Sequence, residues 1–384
     1  MDNLYYVGLD IHKKIITFCV KKSDGEIIEE GGLPATREAL RSWQGDIQYS
    51  WIGGMEATMF TGWVYDTLKP YTKELKVANP KMLKAIVASK KKNDRIDARK
   101  IADALRADLL PECYMAPAEI RDLRRCIRYR NFLVRQATRL KNKTAGLLME
   151  CGVEYNKRKL HGKRYFNNLV EGLWKIDEIP ESMIEMLKFN RHILEIYVPI
   201  QKRIIAGLQK HPLLKERVER LQTIDGVGEV LSLSWALEIG DPHRFSSIKK
   251  AISYCGLCSG EKSSAGKNKR GPISKERNKH IQWVLIEAAK IAIRYNPRLA
   301  EVYEKELKGG NKNSASLAVA RKLVAYLLAI DKSGKKFEYR TGGDRKAVLL
   351  DHRSARDKKR RGHRAPKPPR PIATFSPNRF VLDS

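Results

Sequence analysis

Short apolar runs separated by turn residues open the chain, and beyond about residue 113 they give way to a longer, helical period. LYYVGLD (4–10) and IITFCVKK (15–22) are β-branched and aromatic, SDGE (23–26) is a turn, and EIIEEGGL (26–33) continues as a third strand, so the sequence predicts a meander. IQYSWIGGME (47–56) and ELKVAN (74–79) read as further strands with helices between and after them. Short strands broken by helices predict a mixed α/β layer over residues 1–112.

From Ala118 to Cys151 the positions Ile120, Leu123, Ile127, Val134, Ala137, Thr144 and Leu148 recur at a 3-4 spacing and predict one long helical stripe. A second stripe, Ile193, Tyr197, Ile200, Ile204 and Leu208, offers it a coiled-coil partner, and Pro199 within that stripe is expected to kink or split the helix. Arg130 and Lys141 fall on the first seam and loosen it. These features assign 113–216 to a central helical region. Residues 217–335 hold LQTIDGVGEVLSLSWALEIGD, a Lys- and Gly-rich loop, and two apolar helices around Trp283–Ile293 and Leu317–Ile330, the pattern of a compact helical domain. Residues 336–384 form a basic, proline-bearing tail with too little apolar content to bury, expected to be disordered.

Charge then narrows the partner. The 384 residues carry 75 Lys plus Arg against 44 Asp plus Glu, a formal net charge of +31. A surplus of that size points to a polyanion, nucleic acid first, and an acidic membrane fits less well without an amphipathic anchor or lipidation signal. No stretch of about 18 residues is apolar without a charge, and six scattered cysteines make no disulfide framework; both fit a cytoplasmic protein.

Against this basic background a few acids stand out. Asp10 closes the apolar run YYVGLD, and Glu56 closes YSWIGGM in the same way. Asp94 and Asp97 open a helix whose apolar positions include Ile101, Ala104 and Leu105, so their spacing places them on the sheet-facing side. Four converging carboxylates repel unless protonated or neutralised, and hard oxygen donors suit Mg²⁺, which also accepts phosphate oxygens. Alternatively, Asp94 is simply the helix cap with Asp97 in the first turn, and Asp10 and Glu56 are solvated strand ends. Lys90, Lys91 and Lys92, directly before the acids, are candidate phosphate contacts. His12, two residues past Asp10, is expected to be an exposed strand-end histidine, though near enough to approach a metal.

Two further segments carry candidate chemistry. In TIDGVGEVLSL (223–233), Gly226 and Gly228 bracket a tight turn before a helix, the helix-hairpin-helix pattern whose free amides hold a phosphate; an ordinary turn reads the same way. In GEKSSAGKNKRGPISKERNK (260–279), Ser263 and Ser264 lie in an expected flexible loop ahead of Lys267, Lys269 and Arg270. A serine attacking a phosphodiester needs its proton removed and the phosphorane charge stabilised; the cations meet only the second need, so a phosphate-gripping linker is the competing reading. The Cys255-x-x-Cys258 pair has no partner pair at zinc-ribbon spacing and reads as packed, inert thiols.

YVGLDIHK, GGMEAT, VANP and KNDRIDARKIADAL, followed by IDGVGEVLSLSWALEIGDPHRF, AISYCGL and SSAGKNKRGPISK, resemble the DEDD transposases of the insertion-sequence-110 family, in the family's order over roughly residues 4–335. The resemblance implies a RuvC-like, RNase H-type amino-terminal domain with its acidic tetrad at Asp10, Glu56, Asp94 and Asp97 binding Mg²⁺. It further implies a coiled-coil region for assembly and a carboxy-terminal transposase domain with a serine nucleophile at Ser264. SKERN replaces the usual Ser/Thr-Lys-x-Gly-Asn, which leaves Ser263 as the rival. Such members cut and rejoin DNA through a phosphoserine link, guided by a structured bridge RNA, with active sites composite across subunits of a tetramer; the loose coiled coil itself permits a dimer or a tetramer. The competing expectations are a RuvC-like endonuclease that hydrolyses branched DNA with the tetrad and water, and a non-catalytic nucleic-acid scaffold.

Overall fold

The computed structural model describes residues 4–86, 93–264 and 267–339, with the backbone alone for 261–270. The chain divides into two compact units, residues 1–123 and 124–384. The expected tail beyond 339, together with Lys90, Lys91 and Lys92, lies outside the described residues.

Unit one contains β1 (Tyr5–Ile11), β2 (Ile15–Lys21), β3 (Ile27–Pro34), α1 (Arg37–Asp46), β4 (Trp51–Glu56), α2 (Thr61–Leu68), β5 (Glu74–Ala78), α3 (Pro80–Ile86) and α4 (Asp94–Arg106), and the start of α5 (Ala118–Glu150). The five strands form one sheet in the order β3-β2-β1-β4-β5. β1 pairs antiparallel with β2 and parallel with β4, and β4 pairs parallel with β5, so the expected meander supplies one edge and the crossovers the other.

Because a strand turns successive side chains to opposite faces, β1 sends Val7, Leu9 and Ile11 one way and Gly8 and Asp10 the other. The first set joins Phe18, Leu33, Trp51, Met55 and Val77 in a core closed by Leu40 of α1 and by Val64 and Leu68 of α2. The other face is lined with small residues. Gly8 and Gly54 are register partners across β1 and β4, and α4 packs over them. A Cβ on Gly8 would stand 2.1 Å from the Ala98 carbonyl oxygen and 2.5 Å from the Ala102 nitrogen, so only glycine admits the helix backbone this close. Ala98, Ala102, Ile101 and Leu105 form the matching buried stripe of α4. Two ion pairs fasten the same helix to the antiparallel edge: Lys21 with Asp103 at 2.7 Å, and Arg99 bidentate on Glu30.

Unit two holds most of α5, then α6 (Lys163–Leu173), α7 (Glu181–Lys210), α8 (Pro212–Gln222), α9 (Glu229–Ile239), α10 (Ile248–Tyr254), β6 (Ser259–Ser264), β7 (Lys267–Ile273), α11 (Lys279–Ala292), α12 (Pro297–Gly309) and α13 (Lys312–Ser333). Leu147 and Leu148 of α5 pack with Phe166, Val170 and Leu173 of α6 and with Ile184 and Leu187 of α7. Of the second stripe only Leu208 is buried; Ile193, Tyr197, Ile200 and Ile204 are half-buried. α7 runs unbroken through Pro199, so the expected split does not occur. The reason is local: Pro199 and Glu195, whose carbonyl loses its helical donor, are both exposed, so that oxygen need not be satisfied within the protein.

α9 is buried from Leu231 to Ile239 and packs against α7, α8 and α11, while α13 packs against α8 and α11. Its Trp235 indole N–H donates to Asp331 of α13, and Arg217 of α8 grips the same carboxylate at 2.7 and 2.6 Å. α13 is the one helix among the described residues long and apolar enough to cross a membrane, and Val319, Ala320, Leu323, Val324 and Leu327 bury it inside this bundle. All six cysteines are free; burial pushes the Cys255 thiol up to about 12, which keeps it protonated and inert.

Candidate functional site

The carboxyl ends of β1 and β4 place Asp10 and Glu56. The pair after Leu9↔Met55 in this parallel register brings both acids to one end of the sheet, and alternation turns both to the face covered by α4. The Gly8–Ala98 contact then decides how near the amino end of α4 comes to Asp10.

Asn93, not Asp94, caps α4: its side-chain oxygen accepts from the Arg95 N–H at 3.0 Å. The bland reading of the acids as a helix cap is thereby corrected, because an amide already fills that role and leaves both carboxylates available. Asp94 is exposed and Asp97 half-buried. Asp10 is largely enclosed, with 13 % of its side chain exposed. Burial raises the Asp10 carboxyl above its ordinary value, the charges of Asp94 and Asp97 raise it further, and His12 works against them.

His12 enters this cluster directly. Its backbone N–H donates to the Ile15 carbonyl, fixing the turn after β1, and its Nε2 lies 3.2 Å from Asp10 Oδ2 and 3.5 Å from Asp94 Oδ1. Donor atoms of Asp10, His12 and Asp94 all fall within 4.8 Å of one another, a group able to hold a metal ion. The ring is exposed as expected, yet it stands among the acids; the Asp-x-His spacing of GLDIHK was the available signal. Glu56 and Asp97 do not belong to that tight group. The backbone carbonyl of Glu56 accepts from the Thr61 hydroxyl at 3.1 Å, which holds the turn after β4. Two carboxylate oxygen donors, one of them on Asp10 whose ionisation is opposed by burial and by its acidic neighbours, and one nitrogen donor fit a divalent cation.

In unit two the glycine turn is built as its sequence suggests. Gly226 has φ +92°, and a Cβ there would meet the Ala292 backbone at 2.7 Å, so the turn lies hard against α11. Gly228 caps α9 without a side-chain hydrogen bond. The adjoining cleft, about 520 Å³, is lined by Gly226, Gly228, Trp283, Ile291 and Tyr295, and also by Glu229 and Glu287. An anion at the α9 amides would therefore meet Glu229 in the same turn.

The segment expected as a flexible loop is instead an antiparallel hairpin of β6 and β7. Ser263 pairs with Asn268 and Ser264 with Lys267, at the tip, while Ser274 N–H donates to the Cys258 carbonyl at the base. Its residues carry almost no apolar pattern, because a two-stranded ribbon is stabilised by backbone pairing that any side chain permits. The side chains of Ser263, Ser264, Lys267, Lys269 and Arg270 lie outside the described residues.

Unit two also holds a buried acid that sequence reasoning missed. Glu238 of α9, 1 % exposed, accepts two 2.7 Å bonds from Arg128 of α5 and one of 2.7 Å from the Asn278 amide. Burial would raise its pKa, but Arg128, Asn278 and Arg124 outweigh that and hold the carboxyl below the usual glutamate range. An acid at the end of a hydrophobic helix was its only sequence signal.

Residues 7–152 match a DEDD-type transposase family of the IS110 group, and residues 218–304 match the transposase IS116/IS110/IS902 family. The chain is 27% identical over 304 residues to a transposase for insertion sequence element IS1111A of Coxiella burnetii, covering 77% of this chain and 79% of that protein. It is 24% identical over 269 residues to a transposase for insertion sequence element IS1328 of Yersinia enterocolitica (69% and 78% covered), and 23% identical over 339 residues to a putative transposase of Sinorhizobium fredii (86% and 83%). The first match spans the sheet and its acids and the second spans the glycine turn and the hairpin, so the chain carries transposase domains of the IS110/IS116 family.

Proposed function

We propose that the chain cuts and rejoins DNA by serine chemistry assisted by a Mg²⁺ site, and so moves an insertion sequence. The observation that carries this reading is the meeting of Asp10 and Asp94 at the carboxyl end of a β3-β2-β1-β4-β5 sheet, with Glu56 and Asp97 on the elements beside them. That strand order, with β2 antiparallel to its neighbours, supports an RNase H-like, RuvC-like domain over 1–112. Asp10, Glu56, Asp94 and Asp97 would hold the ion, which when bound neutralises phosphate charge and orients the scissile group.

Ser264, with Ser263 as its rival, is the proposed nucleophile. Its Oγ forms a bond to phosphorus as the phosphorus–sugar oxygen bond breaks; the serine proton leaves and the departing oxygen takes one up. A second DNA hydroxyl reverses the exchange, so strand transfer needs no outside energy source. Lys267, Lys269 and Arg270 would steady the charge on the phosphorane, while Lys90, Lys91 and Lys92 and the turn at Gly226 and Gly228 hold DNA backbone. The turn between α8 and α9 supports the helix-hairpin-helix assignment within a 217–335 transposase domain, although Glu229 beside it argues for contact through fewer amides than that motif ordinarily offers.

The 113–216 helices, with Ile193, Tyr197, Ile200 and Ile204 only half-buried, would supply a coiled-coil assembly surface for a dimer or tetramer. The +31 charge and the basic 336–384 tail suit both DNA and a structured guide RNA, in a cytoplasmic, nucleoid-associated protein. The test is to trap the full chain on oligonucleotide DNA with Mg²⁺ and map the cross-linked residue by mass spectrometry. An adduct at Ser264 or Ser263, lost in the corresponding alanine variant together with strand exchange, is expected. Continued cutting by Ser264→Ala and Ser263→Ala without an adduct would instead establish a hydrolytic nuclease, and cutting unaffected by Asp10→Ala or by chelation would remove the metal from the mechanism.

A further inference from the structure

We propose that His12 supplies a nitrogen ligand from its Nε2 to the cation held by Asp10 and Asp94, giving the site a preference for Mn²⁺-type transition ions over Mg²⁺ that four carboxylates alone would not have. The inference rests on the reading of those acids as a metal site and adds a donor outside the tetrad.

Three observations support it. First, the ring lies 3.2 Å from one carboxylate and 3.5 Å from the other. The longer gap is beyond a normal N–H···O hydrogen bond, so simple hydrogen bonding accounts for one contact and not for the convergence of all three groups. A shared ion fits the group, because donors at right angles about 2.1 Å from a cation sit about 3 Å apart, a few tenths of an ångström from the two His12 spacings, with the Asp10 and Asp94 donors also within 4.8 Å of each other. Second, the donors come from two pieces of structure distant in sequence, the end of β1 with its turn and the start of α4. Asp10 is set by its strand, His12 by the Ile15 hydrogen bond in the following turn, and Asp94 by the Asn93 cap and the glycine contact under α4. Third, the group is graded in exposure: Asp10 is enclosed, while His12 and Asp94 have about half of their side chains open at 50 % and 55 %. That leaves an accessible side on which a phosphate oxygen can complete the coordination.

Imidazole nitrogen binds first-row transition ions well and Mg²⁺ poorly, whereas carboxylate oxygen serves both. Removing His12 should therefore change which ion the site favours more than whether it binds one.

The experiment uses the full chain, stripped with chelator and titrated with MnCl₂ and separately with MgCl₂ by calorimetry, with pulsed electron paramagnetic resonance of the Mn²⁺ form. The wild type is expected to show ¹⁴N coupling to bound Mn²⁺. His12→Ala should lose that coupling and at least about tenfold in Mn²⁺ affinity, with Mg²⁺ affinity altered less than about threefold. His12→Asp, which restores a donor but not nitrogen, should regain Mn²⁺ binding without the coupling. Mn²⁺ bound by the wild type with no ¹⁴N coupling, or with equal affinity in His12→Ala, overturns the role of His12 while leaving the acidic site intact. Mn²⁺ and Mg²⁺ binding unaffected by Asp10→Asn overturns the acidic site itself, and with it this inference. Because His12 is half-exposed in a turn, both variants should fold; equal far-ultraviolet circular dichroism and melting of the ion-free forms checks this.

Discussion

Replacing Gly8 by alanine adds one methyl group, and the geometry says where the cost falls. The new Cβ would stand 2.1 Å from the Ala98 carbonyl oxygen, against the 3.4 Å of ordinary contact, so α4 must retreat by about 1.3 Å or tilt. Neither neighbour is a flexible side-chain tip: one is a helix carbonyl and the other, Ala102 N, a helix amide, both engaged in the helix ladder. Overpacking of this kind costs roughly 1–3 kcal/mol. For a unit of about 120 residues that corresponds to a fall of roughly 3–15 °C in its melting temperature. The retreat also carries Asp94 away from Asp10, widening a donor spacing now within 4.8 Å, and metal sites lose function when donors are displaced by about 1 Å. Thermal unfolding followed by circular dichroism, with and without Mn²⁺, reads both effects. Gly8→Ala should melt lower and gain little from the ion. Gly207→Ala serves as the control, since Gly207 is exposed in α7 with nothing within 4 Å of an added Cβ, and should stabilise by about 0.5–1 kcal/mol. A Gly8→Ala protein that melts with the wild type and keeps its ion-induced stabilisation would refute the claim that this glycine sets the site.

Asn93→Ala removes the α4 cap and should cost about 0.5–2 kcal/mol, seen as faster amide exchange in the first turn of α4, with Asn93→Asp largely restoring protection. Glu238→Ala strips the partner from Arg128 and Asn278 in a buried pair and should destabilise unit two by roughly 3–5 kcal/mol in chemical denaturation. Because the folded Glu238 carboxyl titrates below its unfolded value, its stabilisation is present above the unfolded pKa and is lost as pH falls through the folded one; Glu238→Gln should flatten that acid limb of the stability profile, and an unchanged acid limb would refute the pairing.

The arrangement of the sheet and its acids was legible because strand alternation is a local property: YYVGLD already separates Val7 and Leu9 from Gly8 and Asp10. The value of Gly8 was not, since a glycine in a strand says only that something approaches closely, never what. The cap was misjudged between adjacent residues, Asn93 and Asp94, both good caps by type; only the chain's path into α4 distinguishes them. The hairpin at Ser259–Ile273 was hidden because backbone pairing leaves no apolar signature, and whether Pro199 would split α7 depended on its exposure, a tertiary fact. Glu238 was missed because its partner Arg128 is 110 residues away, and the contact of His12 with Asp94, 82 residues further on, was hidden for the same reason.

The Glu238 grip on α5 has a mechanical side. Arg124, whose Nε donates to the Leu237 carbonyl, and Arg128 fix one end of a helix to the buried axis of the transposase bundle. From Arg128 to Glu150 the helix extends about 33 Å at 1.5 Å per residue. A tilt of about 5° at the clamp would swing its far end by about 3 Å, so a small shift of α9 would be magnified along α5 toward its α6 end.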